Sequence, residues 1–196
     1  MLPAEDNSPY HYQCDIQDVL GSDEPHWDLM IAHPPCTYLT VTGNKWFLPQ
    51  YADRFPDRPR HREEAIKFFM ALVNAPIQRI CVENPVGVMS RHYRKPDQII
   101  QPYQFGHPEP KKTCLWLKGL PPLAPTRLVE PEYFTSKSGK RLPKWFFIPS
   151  PSHERQKLRN RTFEGIASAM ASQWGDNDKI NHSPNQMTLD DFIKSE

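Results

Sequence analysis

The sequence has no apolar stretch long enough to cross a bilayer, and it does not open with a basic-then-apolar leader. Its four cysteines form no CxxC pair and no His/Cys cluster at zinc-binding spacing. These absences argue against a membrane-spanning helix, a secreted disulfide framework and a structural zinc site. We therefore expect a reduced, intracellular (cytoplasmic) location and no membrane partner.

Glycine is also scarce, with 8 residues against 22 prolines, which predicts many rigid loops. Lys and Arg are absent from positions 1–44, whereas positions 1–30 hold seven acids. The segment 137–161 shows the opposite bias, with eight Lys or Arg against one acid. Such a basic segment indicates a polyanionic partner, although a solvated loop has the same composition.

Apolar patterning predicts one α/β domain over residues 1–175, followed by a polar tail over 176–196. The stretch "WDLMIAH" predicts a buried strand, "HREEAIKFFMALVNA" an amphipathic helix and "QRICVEN" a second strand. Strand, helix and strand in this order form a βαβ unit, which implies parallel pairing. A further strand is predicted at 113–117, and a last helix after a Thr162 N-cap with a stop at Gly175.

Chemically capable side chains follow the predicted strands. Cys36 comes after the first strand and two prolines, and Glu83 ends the next strand. Asp15, in "YQCDIQDV", follows a short third candidate strand. Ligands of open α/β sheets bind outside the carboxyl ends of the strands, so we expect these three side chains at one rim.

Four segments resemble the motifs of a known enzyme family and occur in the same order along the chain. They are "HPPCTYL", "VENP", "QPYQFGHPEPKKTCLWLKGLPPL" and "RTFEGIASAMASQWG". Together they resemble DNA cytosine-5 methyltransferases, in particular the small homologues of viruses and prophages. The resemblance implies a Rossmann-type methyltransferase fold with a mainly parallel sheet. It also implies double-stranded DNA as partner, in a host nucleoid or a nucleus.

The resemblance assigns roles to individual residues. Cys36 would add to C6 of cytosine and Glu83 would assist at N3, so that C5 accepts a methyl group from S-adenosylmethionine. The target base would leave the duplex to reach the thiol. Further residues would bind the cofactor (Asp15, Ile16, Pro34) or the substrate and DNA (Pro35, Asn84, Lys112, Lys140, Arg141, Lys144), the last three within a basic loop region at 119–161.

The chain also departs from the family. The glycine-rich unit that holds the methionine end of the cofactor is missing, which predicts an N-terminally truncated fold with exposed strand edges. Three explanations are open: a true start upstream, a second chain or copy that completes the sheet, or a site that persists without activity. A catalytically inactive DNA-binding homologue is therefore an alternative function, and an enzyme acting on another pyrimidine is a third.

Simpler interpretations exist for several of these residues. Cys36 could be a small buried residue, as we expect for Cys14, Cys81 and Cys114. His33 could tune the thiolate or only hydrogen-bond the loop. The aromatic run at 145–147 could stack on bases or pack beneath a long loop.

The tail contains "QMTLDDFI", which resembles the PCNA-interacting peptide box. The resemblance implies that Gln186, Leu189, Phe192 and Ile193 dock on a sliding clamp of the PCNA type. A frayed amphipathic turn is the alternative.

Overall fold

The computed structural model describes residues 12–20, 26–144 and 162–175. Short 3₁₀ turns lie at Val41–Phe47, Pro49–Tyr51 and Pro102–Gln104. The helices and strands, in chain order, are α1 (Ile16–Leu20), β1 (Leu29–Ala32), α2 (Arg58–Val73), β2 (Arg79–Pro85), α3 (Met89–His92), β3 (Gln98–Ile100), β4 (Thr113–Lys118), β5 (Tyr133–Thr135), β6 (Arg141–Pro143) and α4 (Glu164–Trp174).

The main sheet has the strand order β1-β2-β4-β3, and β5 and β6 form a separate hairpin. β1 and β2 are parallel, whereas β4 runs antiparallel to both β2 and β3. The α/β class is thus confirmed, but the sheet is mixed rather than mainly parallel. The chain between β3 and β4 is short and lacks a helix long enough for a crossover, so β4 returns in the opposite direction.

The unit β1–α2–β2 confirms the predicted order of strand, helix and parallel strand, but β1 is half-buried rather than buried because it lies at the edge of the described sheet. Helix α2 begins at Arg58, earlier than the sequence pattern predicts, because Pro59 fits the first turn, where its missing N–H has no partner to lose. Phe69, Leu72 and Val73 are buried in one core cluster, together with Ile80 and Val82 of β2 and residues from β4. This packing holds α2 against β2 and β4.

Helix α4 contributes to a second core cluster, in which Ile166, Met170 and Trp174 pack with residues of β2, β3 and β4. The Trp174 indole is fully buried, and its Nε1–H donates to the carbonyl oxygen of Pro121 at 3.1 Å. The helix is capped by Phe163 without a side-chain hydrogen bond, so the predicted Thr162 N-cap is wrong by one residue.

Cys81 and Cys114 are buried within strands, as predicted for packing residues, whereas the same prediction is wrong for Cys14, which is exposed just before α1. Cys81 packs in the cluster with α4, and Cys114 in the cluster with α2. Burial raises the pKa of both thiols. They are therefore protonated, apolar components of the core.

Asp15 does not follow a strand, because residues 12–15 have no regular structure. Its Oδ1 accepts a hydrogen bond from the Gln17 N–H at 2.9 Å, immediately before α1. A short carboxylate side chain that bonds the backbone two residues onward favours a turn over a strand. In the described part of the chain, β1 pairs only with β2, so its other edge has no strand beside it.

Candidate functional site

The carboxyl ends of β1 and β2 bring two chemically capable segments together. Ala32 ends β1 and is in register with Val82, so the next residues, His33 and Glu83, lie side by side at this rim. Contrary to the prediction, Glu83 does not end its strand, because β2 continues to Pro85 in its pairing with β4. There, His33 Nδ1 lies 2.6 Å from Glu83 Oε2. Cys36 follows within the same loop, and the charge of Glu83 acts on its thiol. Parallel pairing thus places Cys36 and Glu83 at one site.

The loop that carries Cys36 is held mainly by backbone contacts. Asn84 is almost fully buried, and its Nδ2–H donates to the Pro34 carbonyl oxygen at 3.0 Å. The Cys36 carbonyl oxygen accepts hydrogen bonds from the N–H groups of Leu39 and Thr40, both at 3.0 Å. Pro34 is buried, whereas Pro35 is exposed. Cys36 therefore begins a tight turn, and the hydrogen bonds that hold this turn do not involve the Cys36 side chain.

Arginines at the start of α2 hold the next part of this loop. Arg62 Nε donates to the carbonyl oxygen of Tyr38 at 2.9 Å, and the Arg62 guanidinium lies 3.4 Å from the ring centroid of Phe47. Arg58 lies over the rings of Tyr38 and Phe47 at 5.1 and 5.0 Å. The segment 45–62 contains five Lys or Arg against two Asp. The surface next to Cys36 is thus basic and aromatic.

The thiol of Cys36 is not activated in advance. Burial is the main cause that raises its pKa, and the carboxylate of Glu83 raises it further. A backbone hydrogen bond at Cys36 and the charge of Lys111 act in the opposite direction, without reversing the shift. Near neutral pH the thiol is therefore mostly protonated, and ionisation must accompany any attack.

Lys111 belongs to the site, whereas the predicted Lys112 is exposed beside it. The cleft next to Glu83 is lined by His33, Glu83, Lys111, Thr113, Thr162, Phe163, Ile166 and Met170. Glu83 is in register with Leu115, and side chains on one face of a strand recur every second residue. Counting back from Leu115 to Thr113 and then to Lys111 identifies both residues only once this register is known. The sequence shows the alternation of side chains but not the register.

The predicted cofactor residues do not gather at this site. Pro34 lies in the Cys36 loop, but Asp15 is exposed at the start of α1. Ile16 borders a cavity of about 340 Å³ beside β1. The cavity is lined by Tyr12, Cys14, Ile16, Val19, Leu20, Trp27, Leu29, Met30, Ile31 and Ile77.

This cavity fits only part of S-adenosylmethionine. Its apolar and aromatic walls suit a flat adenine ring, but no lining residue carries a charge for the amino-acid end of the cofactor. Leu29 starts β1 and Ile77 precedes β2, so the cavity extends toward the strand ends opposite Cys36. The residues that the structure describes therefore do not fit the whole cofactor.

The predicted DNA residues Lys140, Arg141 and Lys144 lie in and beside the β5–β6 hairpin. Arg141 is 4.4 Å from the ring centroid of Tyr133, and Lys144 Nζ is 3.1 Å from Glu132 Oε2. The hairpin partly neutralises its own charge. Residues 145–161, and the clamp-binding prediction for Gln186, Leu189, Phe192 and Ile193, lie outside the described residues.

Comparison with protein-family models, curated proteins and solved structures found nothing that matches this chain. Within residues 12–20, 26–144 and 162–175, no three His, Cys, Asp or Glu side chains gather as a metal site. None of the helices described there has the length and apolarity to span a membrane. A functional proposal for this protein rests on the chemistry of the Cys36 site.

The electrostatics of Cys36 can be tested by alkylation with iodoacetamide at pH 8. Glu83→Gln removes a charge that raises the thiol pKa and should speed alkylation, whereas Lys111→Met should slow it. Each change should be about 2- to 10-fold, because the alkylation rate at pH 8 follows the fraction of thiol present as thiolate. Peptide mass spectrometry separates Cys36 from the exposed Cys14, whose rate should not change.

Lys112→Met is the matched control, because it removes the same charge from the neighbouring exposed position. Equal effects of the Lys111 and Lys112 variants would contradict the placement of Lys111 beside the thiol.

Proposed function

We propose that this protein carries out the pyrimidine chemistry of DNA cytosine-5 methyltransferases, with Cys36 adding to C6 of a cytosine and Glu83 acting at N3. The observation that carries the proposal is that the parallel pairing of β1 and β2 brings the loop with Cys36 to Glu83, whose charge acts on the thiol. A thiol beside a carboxyl group is the pair that this addition needs. A Rossmann-type fold around the β1–α2–β2 unit is part of the proposal.

The addition can be written so that protons balance. In the proposed step, the proton of the Cys36 thiol passes to the carboxylate of Glu83, whose charge acts on this thiol. The charge that raised the thiol pKa is thereby removed, while Lys111 still favours the thiolate. The sulfur electron pair then forms the S–C6 bond, N3 takes the proton from Glu83, and the C5=C6 electrons move into an enamine. The thiol proton thus ends on N3.

The surface next to the loop supports DNA as the partner. Lys45 lies 4.4 Å from the ring centroid of Trp46, which continues the basic and aromatic surface formed by Arg58 and Arg62. Guanidinium groups bind phosphates, and aromatic faces accept an unstacked base. A base must leave the duplex before a thiol can reach C6. The hairpin residues Lys140, Arg141 and Lys144 would add contacts to the phosphate backbone of the DNA.

S-adenosylmethionine would supply the methyl group for C5. The described residues suit only its adenine ring, so its charged half would need partners from outside them. In the described sheet, the free edge of β1 offers a place where a second chain or copy would add a strand. Docking of the tail on a sliding clamp is also part of the proposal.

A second candidate is a DNA-binding homologue that does not methylate. The raised pKa of the Cys36 thiol and the poor fit to the charged half of the cofactor favour it. In that case the protein would bind DNA while the Cys36 side chain stayed an unreacted thiol. The two candidates differ in whether a covalent bond forms.

A duplex that carries 2-pyrimidinone in place of one cytosine tests this difference. Its C6 is more electrophilic than that of cytosine, so the addition can be observed without a methyl donor. We expect the wild-type protein to form an adduct with the summed mass, located on Cys36 by peptide mapping. An unmodified duplex should give none, and a Cys14→Ser variant should react like the wild type.

Binding of the duplex without any adduct would overturn the enzymatic proposal and support the DNA-binding homologue. A parallel reaction with 5-fluorocytosine duplex and S-adenosylmethionine reports methyl transfer, since fluorine at C5 blocks the final elimination. Addition to 2-pyrimidinone without trapping of 5-fluorocytosine would show C6 chemistry without a methyl step in this chain.

A further inference from the structure

The shortest polar side-chain contact of the site joins a residue that directly follows β1 to a residue of β2. His33 Nδ1 lies 2.6 Å from Glu83 Oε2, and the side chains are 40% and 19% exposed. The parallel register of Ala32 with Val82 places both residues at this rim. Asn84 and Pro34, the residues that follow them, are joined by a buried hydrogen bond at 3.0 Å. The imidazole and the carboxylate are therefore held as neighbours from both strands.

This contact uses one carboxylate oxygen of Glu83. With the proton on Nδ1, His33 donates to Oε2 and leaves Oε1 for another partner. A carboxyl group that must meet N3 of a base loses much of its effect when it can rotate, because attack geometry has to be set before reaction. A hydrogen bond from a neighbouring loop removes that freedom.

We propose that His33 is a positioning residue for Glu83, and that it presents Oε1 of this carboxyl group to N3 of the target pyrimidine. The inference rests on the proposed function of the site. The His33 side chain is 40% exposed, so we expect its removal to leave the fold intact. Its role is to orient Glu83 during the addition of Cys36 to C6.

Variants of His33 test the proposal with the 2-pyrimidinone duplex. His33→Ala removes the donor, whereas His33→Asn keeps an N–H close to the position of Nδ1. We expect the rate constant of adduct formation at saturating duplex to fall on the order of 100-fold in His33→Ala. His33→Asn should recover most of this loss, while the duplex Kd and the Tm stay unchanged in both variants.

His92→Asn is the matched control, because His92 is an exposed histidine on α3. A double-mutant cycle with Glu83→Gln completes the test. His33→Ala should cost less than about threefold in that background, since the carboxylate that it orients is already gone. Wild-type rates in His33→Ala, or the same 100-fold loss in both backgrounds, would overturn the role of His33.

If the wild-type chain forms no adduct, the proposed function is refuted and the role of His33 falls with it. If the wild type reacts and the His33 variants react equally well, only the role of His33 is refuted.

Discussion

Replacing Cys36 by serine should abolish the adduct with a 2-pyrimidinone duplex, with a loss in rate on the order of 10⁴-fold or more. The site raises the pKa even of the thiol, by burial and by the charge of Glu83. A hydroxyl group ionises far less readily than a thiol, so serine would have almost no anionic nucleophile in the same place. The measurement is adduct formation followed by intact mass over several days.

The Cys36→Ser variant should fold normally. The loop is held by the Cys36 carbonyl oxygen and by Asn84, and none of these bonds uses the thiol. We expect the free energy of unfolding to change by less than about 1 kcal/mol. An adduct that persists in Cys36→Ser, mapped to another cysteine, would remove Cys36 from the chemistry.

Replacing Gly87 by alanine should damage both the fold and the site. An alanine Cβ there would lie 2.1 Å from the carbonyl oxygen of Leu39 and 3.2 Å from Cα of Thr40. Both atoms belong to the backbone, so no side-chain rotation can relieve the contact. The segments are also joined by the hydrogen bond from the Val88 N–H to the Leu39 carbonyl oxygen at 2.8 Å. Alanine must therefore push the Cys36 turn away from the segment that follows β2.

We expect Gly87→Ala to lower the free energy of unfolding by about 2–4 kcal/mol, measured by urea denaturation. Because the turn moves relative to Glu83, the adduct rate should fall on the order of 100-fold even in the folded fraction. Gly139→Ala is the control, since no atom lies within 4 Å of its Cβ position. Gly139 has a φ of +77°, so alanine there should lower the free energy of unfolding by about 1 kcal/mol through backbone strain alone. This control should keep the wild-type adduct rate.

A wild-type adduct rate in Gly87→Ala would show that the close approach of these two segments does not position Cys36. If Gly87→Ala keeps its stability but forms the adduct slowly, this glycine is needed to position the turn and not to stabilise the fold.

Local patterning was sufficient for the elements that position the site. The continuous apolar run in β1 and the one-sided apolar stripe of α2 can be read from neighbouring residues alone. The order strand, helix, strand then implies parallel pairing, so the juxtaposition of Cys36 and Glu83 followed from the sequence. The burial of Cys81 and Cys114 followed from their apolar neighbours in the same way.

The direction of β4 could not be predicted, because its first four residues are all buried and such a run looks the same in either direction. The prediction named Lys112, but Lys111 lies at the site, because the register of β4 against β2 determines which of the two adjacent lysines lies on the side of Glu83. The bond between His33 and Glu83 joins residues 50 positions apart. Side-chain patterns report local periodicity, whereas strand direction, register and such long-range contacts arise only when the segments pack together.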